Sequence, residues 1–186
     1  DTVNTWKNSG GPAADCTLFS GSAIYSANGG LNGLPAVKIP QGMGQYPLHV
    51  DGLTRDYIDN SAFTMFAVTK GEGWNGFYAG STPLFLFRAS EFKLGNPDNF
   101  KRVAIPDWRA SGIRAGLLDT DADYMEAWLN GASQGTANMS DVNDPYYDYG
   151  LNDFRLKDFA TMDGFYSEII IYNRALTWEE HNAIGY

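Results

Sequence analysis

The chain has 186 residues, with 22 acidic against 13 basic side chains, a net charge of −9 and a pI of about 4.5. That balance excludes a nucleic-acid binder, which needs clustered Lys and Arg to displace counterions, and it disfavours an anionic membrane surface. The 21 Gly, 11 Tyr, 11 Phe and 5 Trp, with only 19% charged residues, describe many short strands joined by turns within one domain over 1–186. No apolar run approaches the roughly 18 residues that span a bilayer, and no signal-peptide pattern opens the chain. A start at Asp1 without Met reads as a processed product or an excised part of a longer protein.

In chain order, CTLF (16–19) reads as an apolar strand in which Cys16, the single cysteine, is a buried small hydrophobe rather than a nucleophile. Turn signals follow at short intervals: NGG (28–30), NG (32–33), QGMG (41–44), GEG (71–73) and NG (75–76). FTMFAVTK (63–70) is apolar on both faces, as a strand buried in a sandwich should be. The segments 100–106, 113–119 and 124–130 are shorter strands. Asn130-Gly131 after YMEAWL marks a type I′ hairpin, because this pair readily adopts positive φ. The acidic stretch 140–153 reads as a long loop. GFYSEIIIYN (164–173) is the strongest strand, and Thr177 with Glu180 forms a capping box that opens one helix through Ile184. The pattern predicts an all-β, two-sheet antiparallel jelly-roll sandwich with one short C-terminal helix.

The closing segment GFYSEIIIYNRALTWEEHNAI resembles that of laminin G-like domains of the concanavalin A-like lectin/glucanase superfamily. The matching positions are Gly164, Glu168, Tyr172, Arg174, Leu176, Thr177, Glu180 and Tyr186. VNTWKNSGG at the start and NGLPAVKI (32–39) resemble the family's opening stretches, and FTMFAV and AWLNG fall where its inner strands belong. The busy segment 41–57 and the acidic loop 140–153 depart from the pattern. The resemblance implies a concanavalin A-like jelly roll and leaves function open, since that fold hosts lectins, adhesion modules, hydrolases and virion proteins. It also implies a structural tie for Glu168, to a backbone amide or to Arg174.

Three constellations carry candidate chemistry. Asp121, Asp123 and Glu126 resemble the E-x-D-x-x-E signature of jelly-roll glycoside hydrolases, with Asp in place of the first Glu. A retaining hydrolase would use Asp121 as nucleophile and Glu126 as acid/base, about 5 Å apart. Strand pleat sets Glu126 on the opposite face from 121 and 123, so the bland reading of a strand preceded by an acidic turn is favoured. Asp119, Asp121 and Asp123 also alternate as the first ligands of a calcium loop do, although Tyr124 and Asn130 exclude an EF-hand. A looser Ca²⁺ site could draw on these or on Asp141, Asn143, Asp144 and Asp148, against the alternative of solvated acidic turns. Finally, Trp74 with Asn75, and Tyr146, Tyr147 and Tyr149, read as aromatics on turns, suited to the apolar face and polar rim of a pyranose or to packing on a neighbour. His49 and His181 stand far apart, and His181 on the helix reads as a surface residue.

These observations favour a non-catalytic recognition or adhesion module that binds a glycan or cell-surface polysaccharide, displayed extracellularly, on a cell surface or on a virion. The alternatives are a structural component of a virion or other assembly, such as a capsid knob or fibre head contacting neighbouring subunits, and, third, a glycoside hydrolase. No nucleic acid and no membrane insertion is expected.

Overall fold

The computed structural model describes residues 1–7, 9–10, 15–18, 21–40, 48–51, 62–71, 74–79, 82–88, 91–95, 99–105, 111–142, 153–157 and 163–185. The strands in chain order begin with β1 (Thr5–Trp6), β2 (Cys16–Leu18), β3 (Ile24–Ser26), β4 (Ala36–Ile39) and β5 (Leu48–Asp51). They continue with β6 (Phe63–Gly71), β7 (Trp74–Ala79), β8 (Thr82–Arg88), β9 (Glu91–Gly95) and β10 (Phe100–Ala104). The last are β11 (Gly112–Asp119), β12 (Tyr124–Leu129), β13 (Ala132–Asn138), β14 (Asp153–Lys157) and β15 (Gly164–Tyr172), before helix α1 (Trp178–Gly185). An eight-stranded sheet runs β1-β2-β5-β14-β7-β8-β9-β10, and a seven-stranded sheet runs β13-β12-β11-β6-β15-β4-β3. All pairings are antiparallel, so the fold is a β-sandwich with one short C-terminal helix, as the turn spacing predicts.

The pleat sorts side chains between two cores. Phe63, Met65 and Ala67 of β6, Leu118 of β11, and Met125 and Ala127 of β12 meet Leu48, Val50, Phe92, Leu94, Val103 and Leu156 of the other sheet. The alternate residues Phe66, Ala115, Leu117 and Trp128 face outward, where Leu176, Ile184 and the α1 segment cover them. β6 is therefore apolar on both faces because both are buried. The inner face also takes polar groups: Arg114 and Thr69 are buried, and burial pushes the Tyr166 phenol up while the Arg114 charge pulls it back.

Local chemistry sets the hairpins and the helix start. Asn130 and Gly131 take φ of 48° and 80°, the left-handed values of a type I′ turn. The Asn130 side-chain oxygen accepts from the Ile113 amide at 2.9 Å, in space that a Cβ on Gly112 would fill, so position 112 must be glycine. The capping box forms in both directions. The Thr177 amide donates to Glu180 at 3.0 Å and the Glu180 amide to the Thr177 hydroxyl at 3.3 Å. Arg174 grips the same carboxylate through two nitrogens at 2.6 and 2.7 Å, holding it down to about 2. The expected tie from Arg174 to Glu168 is thus corrected. The first helical turn brings Glu180 within reach, while Glu168 is exposed beside a β-bulge between Tyr166 and Glu168.

His181 is also corrected from surface to interior, at 1% exposure. Its ring lies 4.2 Å from Trp128, 5.0 Å from Phe66 and 6.3 Å from Trp178, and burial lowers its pKa. The N-terminal segment joins both sheets. Val3 and Tyr25 donate across to Ala23 and Asp1, and Thr2 bridges Ile24, whereas β1 pairs with β2 in the opposite sheet. At the other side β10 lies against β13, with Val103 beneath Gly135 at a bulge whose extra residue is Gln134.

Two outcomes follow. Buried Thr64 donates to the Arg174 carbonyl at 3.1 Å and accepts from the Leu176 amide at 3.0 Å. Thr64→Val should cost about 1–3 kcal/mol in urea unfolding by stranding these groups. Because the folded state lowers the pKa of His181 below 6.5, the unfolded chain takes up the proton first as pH falls, so this contribution is present above pH 6.5 and is lost below it. The melting temperature should fall more steeply between about pH 7 and about pH 5 for the parent than for His181→Gln, and equal slopes would exclude His181 as the cause.

Candidate functional site

The acidic corner and the hairpin that follows it hold most of the described candidate residues. β11 and β12 are joined by a four-residue turn, 120–123, in which Asp123 takes φ of 51°. The Asp119 carboxylate folds into this turn: its Oδ1 accepts from the amides of Asp121 at 3.0 Å and Ala122 at 3.1 Å. Asp side chains do this readily, so the alternating spacing serves the turn's own backbone. Asp121 and Asp123 are exposed. The turn is pinned from below, where the Met139 amide donates to the Asp123 carbonyl at 2.7 Å.

Glu126 lies on the outward face of β12, opposite Thr136 of β13 and Leu117 of β11. By pleat it shares that face with Tyr124, whose phenol donates to one carboxylate oxygen. Ser133 of β13 donates to the other at 2.5 Å. Both oxygens of Glu126 are thus occupied by neutral hydroxyls, and Asp121 belongs to the turn beyond the strand. The bulge that could have swung Glu126 toward Asp121 falls elsewhere, on β13 between the partners of Ala127 and Trp128. Tyr124 and Ser133 were not foreseen as partners of Glu126. Same-face parity gives the first, while the second depends on the register of β13.

Asp141 sits at the start of the acidic stretch, tied to β10. Lys101 Nζ donates to its carboxylate at 2.7 Å and holds it below the usual carboxylate range, and Asn99 donates to its carbonyl at 2.7 Å. Among the described residues, no group of three or more His, Cys, Asp or Glu side chains is placed to hold a metal ion. Of the described carboxylates, Asp119 is folded onto the amides of its turn and Asp141 onto Lys101. Asn143, Asp144, Tyr146, Tyr147, Asp148 and Tyr149 lie outside the described residues.

Trp74 and Asn75 open strand β7, with Trp74 opposite Lys157 and Asn75 between Leu156 and Phe87, so they sit in the eight-stranded sheet rather than on a turn. GEGWNG reads as a turn because of its glycines, but β14 and β8 supply backbone partners on both sides that outweigh the weak strand preference of Gly. Cys16 is half-buried against the inner core, and burial pushes its thiol up to about 12, which leaves it un-ionised and unreactive. His49 is in β5 of the eight-stranded sheet, away from His181 on α1, so no pair of histidines forms. No described helix is long and apolar enough to cross a membrane.

No protein-family model and no curated protein matches the chain. Its fold does match solved structures. The binding domain of botulinum neurotoxin serotype D superposes with a TM-score of 0.63 at 9% identity, over 98% of this chain and 50% of that one. The type C neurotoxin, in a study of cell entry through two ganglioside molecules, gives 0.62 at 8% identity over 98% and 50%. The type DC binding domain in complex with rat synaptotagmin II gives 0.62 at 8% identity over 98% and 51%. At such identities the likeness establishes a shared sandwich fold, and the chain spans about half the length of these structures.

The Glu126 cluster is expected to act as a structural unit. A double-mutant cycle of Glu126→Ala and Ser133→Ala, read by urea unfolding, should give a coupling of about 0.5–1.5 kcal/mol. Strict additivity would remove the hydrogen bond from the account.

Proposed function

We propose that the chain is a non-catalytic recognition module that binds a carbohydrate at a cell or virion surface, outside the cell. The observation that carries this reading is the disposition of its carboxylates. Glycoside hydrolysis needs two carboxyl groups facing one another across a substrate. Here Glu126 is held by Tyr124 and Ser133, and Asp121 is separated from it on the preceding turn. The same reading is supported by the likeness to the botulinum neurotoxins, of which type C depends on two ganglioside molecules for cell entry and the type DC binding domain forms a complex with synaptotagmin II. The laminin G-like motifs at both ends of the chain agree with it and refine the sandwich to a concanavalin A-like jelly roll.

The contact residues of this proposal are Trp74 and Asn75, with Tyr146, Tyr147 and Tyr149, which offer aromatic surface for a pyranose and polar groups for its rim. Calcium enters through Asn143, Asp144 and Asp148, whose side chains offer hard oxygen ligands, with Asp141 joining them if it releases Lys101.

The test is an array of neutral glycans and gangliosides, probed with the chain in calcium and in EDTA. Binding to a defined set of glycans is expected, with Trp74→Ala or Tyr147→Ala weakening it by about tenfold, the loss of one stacked ring. A signal abolished by EDTA assigns calcium a role, and an unchanged signal removes it. Absence of any glycan binding in both conditions would overturn the reading. Hydrolysis of a polysaccharide panel that is abolished by Glu126→Gln would replace it with the enzymatic one.

A further inference from the structure

Asn138-Met139-Ser140 is the one Asn-x-Ser/Thr triplet, with x other than proline, among the chain's 14 asparagines. Such a triplet is the acceptor pattern for N-linked sugar, and it also arises by chance, so its surroundings decide what it can do. Asn138 closes β13 and is exposed, and its pairing with Tyr124 sets it on the outward face. Its Oδ1 accepts from the Ser140 amide at 2.8 Å and from the Ser140 hydroxyl at 2.5 Å. Acceptor and hydroxyl are thus held together. Both bonds fall on the oxygen, which leaves the amide nitrogen Nδ2 uncommitted among the described residues. Met139 between them is 4% exposed and donates its amide to the Asp123 carbonyl at 2.7 Å, so it anchors the turn while Asn138 and Ser140 stay at the surface.

A second observation points to the same place. β13 ends the seven-stranded sheet, and no described strand is hydrogen-bonded along its outer side. Such an edge is a template for pairing with another chain, and proteins guard it with charge, bulges or bulk. β10, which ends the other sheet at this margin, carries Lys101 and Arg102. Ala132–Asn138 carries no charged residue. Its bulge at Gln134, whose side-chain amide donates to the Ala132 carbonyl at 2.8 Å, guards the first half of the strand. The half from Thr136 to Asn138 has neither charge nor bulge, and both of these residues are exposed. A sugar on Asn138 puts a bulky, hydrated group where those devices are missing.

We propose that Asn138 is an N-glycosylation site whose sugar shields the unguarded half of β13. The donor class is an oligosaccharide linked to a polyprenyl diphosphate. The bond between C1 of its first sugar and the diphosphate oxygen breaks, and a bond from C1 to Nδ2 of Asn138 forms. The nitrogen gives one proton to a base of the transferase, the lipid diphosphate leaves, and no oxidant or reductant is needed. The proposal rests on the extracellular placement above, because only a chain on the secretory route meets this donor. Trp74 belongs to the opposite sheet, so the chain's own sugar leaves that side of the sandwich clear.

For the test, the intact chain is secreted from a eukaryotic host behind a cleaved leader. Position 138 is read by peptide mass spectrometry after amidase release of the sugar in heavy-oxygen water, which marks a used acceptor as a labelled aspartate. Most secreted chains should carry sugar at Asn138. Ser140→Ala and Asn138→Gln should each reduce occupancy to background, and Ser140→Thr should keep it, with melting temperatures confirming that each variant folds. Enzymatic removal of the sugar from the folded protein should raise light scattering at high concentration, and Thr136→Lys, which places a charge on the edge, should suppress that rise. A secreted, folded chain with a bare Asn138 overturns the site, as does a label that persists in Ser140→Ala. Equal scattering with and without sugar overturns the shielding role. A chain that folds in the cytosol but is degraded on the secretory route overturns the extracellular placement and the site with it. Silence on the glycan array from a chain occupied at Asn138 removes the glycan-binding reading and leaves this site standing.

Discussion

Phe66 of β6 is packed between the sheet it belongs to and the imidazole of His181, while its neighbours Met65 and Ala67 point the other way into the space between the sheets. A strand buried on both faces cannot be satisfied by a single partner layer. It needs the eight-stranded sheet on one side and a second cover on the other, and the chain supplies that cover from its own C-terminal segment. Thr64 makes the arrangement specific, because its hydroxyl bonds to backbone groups of residues 174 and 176 and fixes where the chain leaves β15. Arg174 and the capping box then set the direction of α1, and His181 arrives over Phe66 and Trp128. The helix is thus positioned by one buried hydroxyl and a local cap more than by its own eight residues, which are too few for a stable helix in isolation.

The polar groups of the β11–β13 region follow a similar logic of local closure. Asp119 caps its own turn, Asn130 reaches back to the Ile113 amide, and Glu126 is held by two hydroxyls on the same face. Groups committed in this way hold geometry. On the β9–β10 hairpin, by contrast, Arg102 stands opposite Lys93 with its own side chain 67% exposed.

Features governed by short-range chemistry were legible in the sequence. β6 and β15 declare themselves by composition, Asn130-Gly131 by its φ preference, and the helix start by Thr177 and Glu180. β14 was missed although Asp153 to Lys157 alternates polar and apolar residues, because so short a run is a weak signal and its pairing with β5 and β7 is set only in the folded chain. The burial of His181 could not be read from a short helix whose covered face depends on the exit from β15. Asp119 illustrates a real ambiguity: carboxylates two residues apart suit both a cation and a turn's own amides, and nothing in the local sequence separates the two. Partners fixed by register, such as Ser133 for Glu126 or Lys93 for Arg102, become visible only once strands are aligned.

The N-terminal segment hydrogen-bonds to β3 of one sheet while β1 belongs to the other, and β10 lies against β13 on the far side. One lateral margin of the sandwich is therefore spanned by the chain's own N-terminal segment, while at the other β10 and β13 each end their sheet. Many small β domains capture peptides by letting them lie along an open margin as one more strand, with affinity drawn from main-chain hydrogen bonds. The N-terminal segment already occupies backbone groups of β3 that such an added strand would need. That side of the seven-stranded sheet is thereby closed by the chain itself, which blocks edge-to-edge pairing with another chain there.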